Sequence, residues 1–115
     1  MPADFVPLSD ARAQLGESPV WSSVHQAVWW VDIIGRKLLQ TMLTGATESW
    51  NTPEIPGFVQ CLGSTVYVGM QSGIYHFDAA TGKYAKVASL EAEVQRFNEA
   101  SQDSQGRIWA GTMDL

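Results

Sequence analysis

Cysteine is almost missing from this sequence, with Cys61 the single thiol in 115 residues. One thiol excludes an internal disulfide, and it excludes the multi-thiolate clusters that hold structural zinc. Within "FVQCLG" it reads as a small buried hydrophobe. Basic residues are scarce too, seven Lys and Arg against twelve Asp and Glu, for a net charge of -5. That sign is wrong for neutralising phosphates, so no nucleic acid is expected as a partner. Long apolar runs are also lacking. The longest, Ala27 to Val31, falls far short of the ~18 residues that span a bilayer, and the N-terminal "MPADFVPLSDARAQLGE" has neither a basic n-region nor an apolar h-region. No membrane partner is expected, and the chain reads as cytoplasmic. His25 and His76 lack a second His or carboxylate at metal-binding spacing and read as structural or exposed.

What is present favours a packed interior. Hydrophobic residues make up 45% of the chain, including five Trp, and charged residues only 17%. The length suits one small domain covering residues 1–115. Three stretches share a pattern, "QAVWWVD", "STVYVGM" and "GRIWAGT", whose central aromatics Trp29, Tyr67 and Trp109 recur at intervals of about forty residues. Thr44-Gly45 and Thr81-Gly82 repeat at nearly the same interval. Each period runs from an aromatic strand through a Gly-bearing turn to a second strand ("KLLQTML", "IYHFDA"), a Thr-Gly turn and a third strand ("ESWNT", "YAKVASL"). These segments are short, rich in Val, Ile, Trp, Tyr and Thr, and bounded by turn formers. No segment keeps a helical apolar stripe for ten residues; "SLEAEVQ" comes nearest and is short.

An all-β chain with a period near forty residues and about four strands per period has the pattern of β-propeller blades, whose strands are apolar on both faces because blades lie against blades. The expectation is a partial propeller of about two and a half antiparallel four-stranded blades. Its open edge would favour self-association.

Two motifs carry chemistry. In "LGESPVW" a carboxylate, Glu17, sits between Gly16 and Ser18-Pro19. Gly16 permits close approach or an unusual φ, and Pro19 fixes the chain beyond, so Glu17 is either held rigidly at the inner end of a blade or is a solvated loop glutamate. In "RFNEA" the guanidinium of Arg96 and the amide of Asn98 lie two residues apart. In an extended segment both point to one side, ready to contact carbonyl oxygens and hydroxyls. The alternative is a polar turn with Arg96 paired to Glu93 or Glu99. Asp32 and Asp78, at strand ends, read as turn formers, and Trp29, Trp30 and Trp109 read first as packing between blades.

With "VWWVDIIGRKLL", "FDAATGK" and "RFNEASQDSQGRIWAGTMD" in this order, the chain resembles the N-terminal part of the senescence marker protein, gluconolactonase and regucalcin family. The resemblance implies a six-bladed propeller that hydrolyses sugar lactones around a central divalent ion, Ca²⁺, Zn²⁺ or Mn²⁺. It implies Glu17 as one metal ligand and Arg96 and Asn98 as substrate contacts. The family's other metal ligands, an Asn and the Asp that acts as catalytic base, fall in blades past Leu115, so these residues alone are expected to be inactive. The family's usual Arg-Phe-Asn-Asp-Gly is here Arg96-Phe97-Asn98-Glu99-Ala100, which would strain the loop if Ala100 needed a positive φ. The other reading is a non-catalytic propeller serving as a Ca²⁺-binding or partner-binding scaffold.

Overall fold

A computed structural model describes residues 5–90 and 95–114, and all its regular elements are strands. Strands β1 (Gly16–Ser22), β2 (Ala27–Asp32), β3 (Lys37–Met42) and β4 (Thr47–Asn51) form one antiparallel sheet in sequence order. Strands β5 (Phe58–Leu62), β6 (Thr65–Gly69), β7 (Gly73–Asp78) and β8 (Lys83–Ser89) form a second of the same design. Strands β9 (Gln95–Gln102) and β10 (Ile108–Asp114) form a two-stranded third. Most of "SLEAEVQ", the segment nearest to a helical stripe, lies outside the described residues. The three aromatic stretches of the repeat are the second strands, β2, β6 and β10, and the two Thr-Gly turns join the third strand of each full sheet to its fourth.

The core lies between the first two sheets. Trp29, Val31 and Leu38 of the first meet Val59, Val68 and Phe77 of the second, with Ile33, Val66 and Met70 completing the cluster. Trp29 stacks on Trp50 at 5.7 Å between centroids and makes a T-shaped contact with Phe77 at 6.3 Å. A buried aromatic of this kind is worth ~3–5 kcal/mol against Ala. On β2 buried residues alternate with half-buried ones as far as Val31 and none is exposed, so no water-facing side is left, which is why "AVWWV" is apolar throughout.

Successive sheets touch along their first strands, β1 against β5 and β5 against β9. At the second junction Phe97 N–H donates to the Met70 carbonyl at 3.1 Å and the Phe97 ring meets Phe58 edge to face. Gly57 sits where a Cβ would collide with the Phe97 carbonyl, a backbone group with no room to yield. Trp109 departs from expectation. It is 62% exposed, because among the described residues no sheet covers the outer side of β9 and β10. Its indole N–H is held instead by Asp103 at 3.0 Å.

Substituting Gly57→Ala is expected to lower stability by ~2 kcal/mol or more by pushing β9 off the second sheet. Gly111→Ala, whose added methyl meets nothing within 4 Å, should be close to neutral. Urea midpoints of the two variants check this; equal midpoints would remove the close approach as a constraint.

Candidate functional site

Two of the first strands are bulged, and both bulges wall one cavity. In β1, Glu17 pairs with Val31 and Val20 with Trp29, so Ser18 and Pro19 together occupy the place opposite Trp30. Proline has no N–H for the ladder, which makes the bulge a natural outcome of "ESPV". In β9, Phe97 pairs with Thr112 and Ala100 with Ala110, so Asn98 and Glu99 lie opposite Gly111 alone. Glu17, Ser18, Pro19 and Val20 from the first bulge and Asn98, Glu99 and Ala100 from the second line a cavity of about 420 Å³. Glu17 and Asn98 are both exposed, and bulges at such places re-aim side chains.

Arg96 does not line this cavity. It is buried, 9% exposed, and its Nη1 donates to the Phe97 carbonyl at 3.0 Å. Regular register ends at Phe97, so the two-residue alternation that would carry Arg96 and Asn98 to one side is broken by the bulge that begins at Asn98. The alternative partner Glu99 faces the cavity, and Glu93 lies outside the described residues.

Gly16 serves for close approach: a Cβ there would press on the Trp30 ring at 3.2 Å. The positive φ of this motif belongs to Ser18, at 58°, while Ala100 is not among the positive-φ residues, so the strain expected at Ala100 is absent.

Strand β5 stands between the two walls. Its Gln60 is buried, donates Nε2–H to the Ala100 carbonyl at 2.9 Å and receives Gln102 Nε2–H on Oε1 at 2.9 Å. Asp32, read as a turn former, ties the turn after β2 to the approach to β1. It accepts the backbone N–H groups of Gln14 and Leu15 at 3.0 Å and of Gly35 at 2.9 Å. Desolvation raises its pKa, but the three backbone donors from Gly35, Leu15 and Gln14, with Lys37 nearby, outweigh it and hold the carboxyl below its usual value.

The remaining candidates are structural. His25 Nδ1 shares a 2.6 Å hydrogen bond with Ser22 Oγ, and its ring meets Trp29; His76 lies beside Tyr67. Asp78 Oδ1 accepts Ala80 N–H inside its turn. Cys61 is half-buried, and burial pushes its thiol up to about 11 against a weaker opposing bond from Ser22, which favours the protonated thiol near neutral pH.

Sequence reasoning missed Ser18, Gln60 and Glu99 as parts of this arrangement. The Ser-Pro pair was the available signal for the first bulge; nothing in "FVQCLG" marks Gln60 as the residue reaching the next sheet.

A sequence profile described as the SMP-30/Gluconolactonase/LRE-like region matches residues 15–115. The chain belongs to the SMP-30/gluconolactonase/LRE-like family. Members similar to it include a 6-deoxy-6-sulfogluconolactonase of Pseudomonas putida, 36% identical over 105 residues, covering 86% of this chain and 35% of that protein. Regucalcin of Danio rerio is 34% identical over 107 residues, covering 90% of this chain and 36% of that one. L-arabinolactonase of Azospirillum brasilense is 29% identical over 114 residues, covering 93% and 37%. Among solved structures, the calcium-binding protein regucalcin of Agrobacterium tumefaciens superposes with a TM-score of 0.84 at 26% identity, covering 93% of this chain and 38% of that one. A gluconolactonase of Xanthomonas campestris, at 19% identity and a TM-score of 0.74 over 90% and 36%, shares the fold. The chain thus spans roughly a third to two fifths of the length of these family members. In the family's terms the sheets are blades: two complete, and the first two strands of a third.

Among the described residues, no three His, Cys, Asp or Glu side chains gather closely enough to hold a metal ion. Glu17, Glu99 and Asn98 around the cavity are oxygen donors, the type Ca²⁺ takes, but Ca²⁺ takes about six to eight of them. By themselves these residues do not complete a metal site.

Because the folded pKa of Asp32 lies below the ordinary 3.8, the stability from its ionised form is full above that value and is lost as pH falls through the lower folded one. Asp32→Ala is expected to cost ~2 kcal/mol or more near neutral pH and to flatten the acid limb of the stability profile. Denaturant titrations from pH 6 down to about pH 2 measure it; an acid limb as steep as the parent's would assign the acid loss to other carboxylates.

Proposed function

We propose that this chain contributes the N-terminal blades of a sugar lactone hydrolase. The observation that carries the reading is the convergence of Glu17 and Asn98, from sheets one and three, on a single cavity, in a chain whose relatives are named as lactonases. Hydrolysis of a lactone needs polarisation of the ring carbonyl and a nucleophilic oxygen. A bound divalent ion would supply the polarisation. In this reading Glu17 offers that ion one carboxylate, and the other donors, with the catalytic base, belong to blades for which these 115 residues have no counterpart. Oxygen donors favour a Ca²⁺-like or Mn²⁺-like ion over the N and S ligands typical of Zn²⁺. Asn98 presents an amide that both donates to and accepts from sugar hydroxyls. Arg96 lies off the cavity wall, and in this reading it acts through the Phe97 carbonyl, steadying the strand that carries Asn98.

A second reading has its own support, since the Agrobacterium relative is described as calcium-binding: the propeller binds the ion without hydrolysis. One experiment separates the two. Residues 15–115 replace the matching segment of the Azospirillum L-arabinolactonase, and proton release from L-arabinolactone is followed with and without chelator. The chimaera is expected to hydrolyse the lactone only with a divalent ion, and the 115-residue chain alone not above background. Glu17→Gln should lower kcat by ~100-fold or more, and Asn98→Ala should raise KM by ~10-fold. A folded chimaera that binds the ion without hydrolysing lactone would favour the scaffold; unchanged kinetics in Glu17→Gln would dismiss Glu17.

The partner surface proposed for the isolated chain is its own third sheet. Strand β10 pairs only with β9 among the described residues, and Trp109 and Met113 are exposed upon it. Sedimentation should show an apparent mass that rises with concentration and rises less in Trp109→Lys. A monomer at all concentrations rules the surface out.

A further inference from the structure

Ser18 stands next to Glu17 with a φ of 58°, a left-handed conformation that glycine adopts freely and serine does not. Its hydroxyl shows what holds it there. Ser18 Oγ accepts the Val59 N–H at 3.2 Å and donates to the Val59 carbonyl at 3.3 Å. A side chain thereby does for Val59 what a facing strand does for a ladder residue, meeting both its donor and its acceptor. One position along β5, Gln60 grips the Ala100 carbonyl of the opposite bulge. Val59 is fully buried and Gln60 nearly so, which makes β5 a fixed reference between the two walls.

We propose that Ser18 is a positioning residue: its paired hydrogen bonds to Val59 fix the β1 bulge, and with it the direction of Glu17 relative to Asn98. This rests on the reading of Glu17 and Asn98 as partners in lactone hydrolysis. The hydroxyl is the operative group, and the left-handed backbone is a strain that accompanies it. Two variants separate them, since Ser18→Ala removes the hydroxyl alone and Ser18→Gly removes hydroxyl and strain together.

The 115-residue chain is labelled with nitroxides at Trp21→Cys on β1 and Ser101→Cys on β9, in a Cys61→Ala background and diluted with unlabelled chain. Pulsed dipolar spectroscopy then reads the spread of distances between the walls. A narrow distribution is expected in the parent and an equal broadening in Ser18→Gly and Ser18→Ala, although the glycine variant melts higher than the alanine one. In the lactonase chimaera both variants should lose kcat by ~10- to 100-fold with KM held within ~threefold. Parent-like distances in both variants, or distances and kcat that follow the melting temperature, overturn the proposal. A parent chimaera with no hydrolysis retires the lactonase reading and leaves the clamp to be judged by the distances.

Discussion

The first strands of neighbouring sheets approach so closely that backbone meets backbone, and the rest of the structure depends on that approach. Gly57 has no room for a Cβ beside the Phe97 carbonyl, and the Phe97 N–H reaches the Met70 carbonyl. On the other side of β5 the gap to β1 is closed by the Ser18 hydroxyl. Phe58, Val59 and Gln60 are buried, so β5 is tied to the main core while β1 lies largely in water. The strand with the strongest anchoring therefore carries the two strands whose side chains reach the cavity, and rigidity passes outward from core to site.

That arrangement explains which parts of the fold could be read from the sequence. The second, third and fourth strands of each full sheet were legible because Trp29, Leu38, Val68 and Phe77 belong to strands with β-rich composition and turn residues at their ends. The first strands were not. "GESPVWS" and "QRFNEASQ" bend at bulges and carry exposed polar residues, so they lack the two-residue alternation that marks a half-buried strand. The chemistry-bearing segments are thus the least strand-like in sequence, as expected where a local rule yields to a site.

Two side chains sit elsewhere than the repeat and the alternation imply, for separate reasons. The repeat aligns Trp109 with Trp29, which is fully buried between sheets, but burial of the equivalent position needs a covering sheet, and β10 has none among the described residues. Arg96 was placed beside Asn98 by alternation, and the bulge that follows Phe97 cancels alternation. Periodicity reports strand identity well; it reports side-chain direction only while the register is unbroken.

The cavity's charge follows from these displacements. With Arg96 drawn back onto the Phe97 carbonyl, the side chains left around the space are the carboxylates of Glu17 and Glu99, the amide of Asn98 and apolar or hydroxyl groups. No basic side chain among the described residues lines it. Two like charges around one cavity favour an occupant that brings positive charge or O–H donors. A divalent ion meets the first requirement and a polyhydroxylated lactone the second, so the pair proposed for this site is one whose members satisfy the same wall by different chemistry.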